Sequence, residues 1–277
     1  MPVFSAFAEK PVSSAELVFE VVGGRTAVVR RRAATPLTIL TPHHAGTAGW
    51  ACASSHGGGL LSGDSVAVSI DVRAGARAAF VTQASTKIHP GRPGARQSLD
   101  AVVAADGLLV VAPDPVVCYA GARYAQRQEF DLAPTASLVV VDWLTSGRAA
   151  RGERWGFESY ESRLAVRRGG KELLRDATLL DGEAGALPGR LGRFDVIALA
   201  LATGPLFGEG ARRLLEEIAR RPATRRAPLV VSAAPVGLDG VLLRVAAESF
   251  EDAARELRQA LAFAWNALGD DPWSSRG

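Results

Sequence analysis

Cysteine is nearly absent: Cys52 and Cys118 are the only two in 277 residues. Two thiols cannot build the disulfide framework of a small secreted domain. No apolar run reaches the roughly 18 residues needed to span a bilayer. Residues 1–7 are too short for a leader with a basic start, an apolar core and a cleavage site. The expectation is a cytoplasmic protein with reduced thiols and no membrane partner. Lysine is as scarce, with Lys10, Lys87 and Lys171 the only three among 32 basic residues. The arginines that make up the rest are scattered, with the longest run at Arg30, Arg31 and Arg32, and aromatics amount to 6%. A phosphate-tracking protein concentrates its cations in a stripe interleaved with stacking rings, so the net charge of +3 does not imply nucleic acid. Acidic protein surfaces are the better match.

Catalytic signatures are missing too. The glycine-rich stretch GGGLLSGD lacks the Lys-Ser/Thr of a phosphate loop, and no G-x-G-x-x-G opens a helix. Gly63-Asp64-Ser65 has the order of a GDS-type esterase nucleophile. All four histidines, His43, His44, His56 and His89, lie in the first third, however, and no base follows downstream. The chain is read as a non-enzyme, with no tightly bound cofactor.

What is present is a succession of strands. In residues 65–72, Val66, Val68, Ile70 and Val72 share one face and Ala67, Ser69 and Asp71 the other, the period-2 pattern of a half-buried strand. Gly23-Gly24, Asp106-Gly107 and Gly169-Gly170 separate β-rich arms and predict hairpins. In the arm before the last of these, Tyr160, Ser162, Leu164 and Val166 alternate against Glu161 and Arg163.

Helices come late. In residues 209–221, Ala211, Leu214, Leu215 and Ile218 form a stripe, Arg213 and Glu217 are spaced as an i,i+4 pair, and Pro222 stops the run. Ser249 with Asp252 forms a capping box for a second helix that Gly269 closes. The prediction is a mainly β, predominantly antiparallel architecture with two late helices, because strand-helix alternation is missing. It is read as one unit over 1–277, with a β body over about 16–204 and a helix-containing part over about 205–270.

Four blocks then stand in order: G-G-x-x-x-G-D from Gly58 to Asp64, T-Q-x-x-x-K from Thr82 to Lys87, PDPVVCYAGARYAQ at 113–126 and DWLTSGRAARGERW at 142–155. In order and spacing they resemble the urease accessory protein D family, called H in some organisms. The resemblance implies an elongated, coiled β body, resembling a β-helix or sandwich, on which helices pack. No repeat of fixed period marks that coil in the sequence. It further implies a maturation factor that docks on the urease apoprotein, binds the F accessory protein and through it the nickel-carrying GTPase G, forms a homodimer within the accessory complex, and carries nickel only in transit. The rival readings are an arginine-rich β binding module and a GDS-type hydrolase.

Within the resembling blocks Asp64, Asp142 and Glu153 are candidates for a polar path, with Lys87 and Arg148 near them. Oxygen ligands bind and release a divalent ion quickly, whereas a His/Cys cage would trap it. The alternative for each is an ion pair with arginine or a turn cap. His43, His44, Cys52 and His56, spaced H-H-x7-C-x3-H, are the candidates for transient metal ligation, against an ordinary loop or packing role. They match no block of the resemblance.

Overall fold

The computed structural model describes residues 13–43 and 46–274. The chain opens with an antiparallel hairpin of β1 (Ser13–Val22) and β2 (Arg25–Ala33). Its turn is Gly23-Gly24, both at positive φ (58° and 80°), the backbone that two-residue hairpins require. A second antiparallel pair follows, β3 (Leu37–Leu40) with β4 (Gly49–Ser55).

From β4 onward the chain coils. It passes back and forth between two facing sheets through β5 (Ser65–Val72), β6 (Arg77–Thr82), β8 (Ala95–Val103), β9 (Leu108–Val111), β11 (Arg123–Leu132), β12 (Ser137–Thr145) and β13 (Ser159–Arg168). The short strands β7 (Thr86–Ile88) and β10 (Val116–Cys118) pair in parallel and join the sheet of β12 through β10. Each strand lies beside the one a full turn earlier and runs parallel to it. Gly49 pairs with Ala78, Arg77 with Leu108 and Leu108 with Ser137, steps of 29, 31 and 29 residues. On the other sheet Ser65 pairs with Arg96, Tyr124 with Ala95 and Arg123 with Ser159, steps of 31, 29 and 36.

The mainly β body and its coiled form are as expected, but the interior of both sheets is parallel. Antiparallel pairing is confined to one side and the ends. Parallel strands need a crossover, and here the crossover is a strand of the opposite sheet, which the lack of strand-helix alternation could not reveal. For the same reason Asp106-Gly107 turns between sheets and makes no hairpin. β8 and β9 carry buried side chains that pair with neighbouring turns of the coil.

The coil ends in antiparallel strands: β14 (Lys171–Asp181) on one sheet, and on the other β15 (Val196–Thr203), β16 (Leu229–Val236) and β17 (Gly240–Ala247). The hairpin at Gly169-Gly170 is formed. A short helix α1 (Leu187–Leu191) precedes β15. α2 (Gly208–Arg220) is the first predicted late helix, although Arg213 bonds Glu209 while Glu217 bonds Arg221. The second is capped as expected, with the Asp252 amide donating to Ser249 Oγ at 3.1 Å. It breaks at Leu261 into α3 (Phe250–Ala260) and α4 (Ala262–Leu268) before Gly269 closes it at φ 88°.

α2 and α3 pack on the outer face of the sheet containing β12, making three layers. β12 is therefore covered on both sides: Val139, Val141 and Trp143 face the helices, while Leu138 and Val140 face the other sheet. A doubly covered strand reads as a nearly continuous apolar run, and SLVVVDWLT does so except at Asp142. Each fully buried Val or Leu here stabilises the fold by about 1.5–3 kcal/mol. An acid in that row needs its own explanation.

Candidate functional site

Strand register places Asp142 in a polar layer. On the sheet of β11, Gln126 pairs with Gln97 on one side and Ser162 on the other, and Ser162 pairs with Thr178. On the sheet of β12, Asp142 pairs with Leu199, Leu199 with Arg244, and Arg244 with Ser232. Side chains at paired positions point to the same face, so these residues line up across the molecule in facing rows.

Hydrogen bonds cross the gap between the sheets. Gln126 Nε2 donates to Asp142 Oδ1 at 2.7 Å, Ser162 Oγ to Asp142 Oδ2 at 2.5 Å, and the Tyr160 hydroxyl to Asp142 Oδ1 at 3.3 Å. The Tyr124 hydroxyl steadies the amide from behind, donating to Gln126 Oε1 at 3.2 Å. On either flank the rows are apolar: Leu144 and Ile197 on one side, Val140 and Leu201 on the other.

Two cavities meet at this point. One, of about 250 Å³, is bounded by Leu60, Phe80, Gln97, Tyr124, Gln126 and Asp142. The other, of about 320 Å³, is bounded by Asp142, Tyr160, Ser162, Asp176, Thr178 and Arg244. Asp142, like Trp143, belongs to both walls. Burial between the sheets raises its carboxyl above the usual range, against the three hydrogen bonds, which favour the charged form. Tyr124 and Tyr160 are pushed well above the usual phenol range, also chiefly by burial. Burial likewise pushes the Cys118 thiol up, which leaves it an inert packing group.

Of the other sequence-predicted residues that the structure describes, only Lys87 shares a cavity wall with Asp142. Asp64 caps its own turn, accepting from the Leu61 amide at 2.7 Å. Lys87 is exposed on β7 and lines the first cavity, as do Thr82, Gln83 and Ser85 of the same block. The Lys87 carbonyl takes the Leu60 amide at 2.8 Å, and a Cβ on Gly59 would stand 2.3 Å from that oxygen, which is why glycine is required there.

Arg148 and Glu153 bond each other through two guanidinium nitrogens, and Glu153 also accepts from the Ala120 amide at 3.2 Å. Arg148 sits 4.1 Å over the Tyr119 ring. Arg148 holds the Glu153 carboxyl below its usual range, helped by the Ala120 amide. His43 is exposed, and His56 bonds Thr38 Oγ1 at 2.6 Å. Cys52 packs against the core under the helices, and His44 lies outside the described residues. Among the described residues no three His, Cys, Asp or Glu side chains gather closely enough to hold an ion as a fixed cage.

Gln97, Gln126, Tyr160, Ser162, Asp176 and Arg244 were not singled out from sequence. The available signal was a polar residue on the inward row of a strand, such as Ser162 among Tyr160, Leu164 and Val166.

The model of the UreD urease accessory protein family matches residues 12–276. The chain belongs to the UreD family. Urease accessory protein UreD of Sorangium cellulosum is 50% identical over 263 residues, covering 95% of this chain and 84% of that protein. UreD of Anaeromyxobacter sp. is 45% identical, covering 91% and 86%. Urease accessory protein D of rice (Oryza sativa subsp. indica) is 33% identical over 99% of both chains. UreD proteins serve urease maturation as accessory factors and are not catalysts. The match spans the polar layer and every described candidate residue.

Proposed function

We propose that this UreD protein conducts nickel to urease along the polar layer between its sheets. It docks on the urease apoprotein in the cytoplasm, binds the F accessory protein and, through it, the GTPase G. The observation that carries this reading is Asp142 in the wall of two inter-sheet cavities, with the hydroxyl oxygens of Ser162 and Tyr160 and the amide nitrogen of Gln126 against it. A carboxylate beside two hydroxyl oxygens suits a hard or borderline divalent ion held briefly, and a site without thiolate or imidazole partners to that carboxylate avoids a trap. Asp142→Asn keeps the shape and removes the charge. Urease matured with that variant at limiting nickel should carry about tenfold less metal, while the variant still co-purifies with the F protein. Urease with its full nickel content would overturn the route.

A further inference from the structure

The far end of the polar layer is closed by a cation. Arg244 reaches from β17 across the gap, and its Nη2 donates to Asp176 Oδ1 on β14 at 2.5 Å. The two partners differ in exposure: the Asp176 side chain is 17% exposed and that of Arg244 54%. The carboxylate is thus fixed in the wall, while the long guanidinium arm lies at the surface with room to swing. β14 is the outermost strand of its sheet and β17 lies one strand in from the edge of the other, so this pair crosses the slot close to where the sheets end.

Cavity walls define the boundary more closely. Asp176 and Thr178 line the inner cavity that begins at Asp142, and they also line a groove of about 640 Å³ in which Glu129, Glu161 and Glu183 are paired with Arg127, Arg163 and Arg123. The outer groove is thus a balanced surface, and the unneutralised acid lies inward, at Asp142. Before it stands a permanent positive charge, since arginine stays protonated.

We propose that Arg244 is a charge-selective gate at this end of the layer. Paired with Asp176 it bars cations from the slot; turned out to solvent it exposes Asp176 as the last acid of the route. A half-exposed pair is weak enough to open thermally, and a docked partner that offers Arg244 another acid would hold it open. The proposal rests on the reading of the layer as a cation route. A plain cross-sheet brace would affect stability alone, and a gate also sorts probes by charge.

The test uses the full chain with Leu199→Cys, which stands between Asp142 and Arg244 on the inward row and lines only the inner cavity of the two, as the reporter, and Cys52→Ser to silence the other accessible thiol. Labelling rates with a neutral and a positively charged methanethiosulfonate are followed by mass spectrometry. With Arg244 present the cationic reagent should react more slowly than the neutral one. Arg244→Gln should raise the cationic rate at least about threefold and remove most of the preference. An unchanged ratio of the two rates would overturn the gate. If Arg244→Gln unfolds, the Arg244→Gln/Asp176→Asn pair, which leaves neither partner alone, is read in the same way. No nickel enters this assay, so a negative result leaves the Asp142 test standing and the converse also holds.

Discussion

Asp142 and Glu153 lie eleven residues apart in one sequence block and meet opposite surroundings. Asp142 is held between sheets by uncharged donors, and burial raises its carboxyl. Glu153 sits in a surface loop against Arg148, which lowers its carboxyl. The first is an acid that the fold keeps without a cation of its own, the second an acid already satisfied by one. Availability to a passing ion is thus set by which layer of the coil a residue occupies, and membership of a shared block does not determine it.

The strongest way to break this contrast is to move the charge by one layer. Val140 is fully buried on the same inward row of β12, paired with Leu201 and Val111. Val140→Asp would place a carboxylate among aliphatic neighbours with no donor facing it. It should cost about 3–5 kcal/mol, read as a lowered urea midpoint or loss of the folded chain. A stable, cooperative Val140→Asp protein would mean that the inner rows tolerate charge anywhere, and the polar layer would lose its significance.

A smaller effect is expected from titrating Asp142. Its folded value lies above the unfolded one, so the folded chain binds this proton more tightly. The associated stability is fully present below the ordinary carboxylate value and is lost as pH rises through the raised folded value. Asp142→Asn should therefore be closest to wild type in acid and gain on it as pH rises across that window, in parallel urea titrations. A difference independent of pH would show that burial does not govern this carboxyl.

What could be read from the chain before its structure divides along the same line. Local features were legible: the hairpins at Gly23-Gly24 and Gly169-Gly170, the Ser249 cap and the stop at Gly269 depend on neighbours in sequence. Strand direction was not, because a coil of 29 to 36 residues per turn repeats geometry without repeating residues. The site is half legible. Asp142 is marked as an acid within a block of the resemblance, but its partners Gln126 and Ser162 come from other turns of the coil, and Arg244 from the closing hairpin. Their alignment is a property of register, which no single strand carries. Glu153 and Arg148 looked equivalent to Asp142 because a block in sequence does not say which residues turn outward.

The smallest effect belongs to Glu153, and its sign is the instructive part. Its folded value lies below the unfolded one because Arg148 and the Ala120 amide favour the carboxylate. The stabilisation is present above the ordinary glutamate value and is lost as pH falls through the lowered folded value, the reverse of Asp142. Glu153→Gln should lower the urea midpoint slightly at neutral pH, converge on wild type in acid, and leave the nickel content of matured urease unchanged. Convergence follows because the acid form of wild type has already given up the ion pair that the substitution removes. Were Glu153→Gln to deplete urease of nickel as deeply as Asp142→Asn, an arginine-bound surface acid would be serving the ion, and the distinction between the two regions would fail.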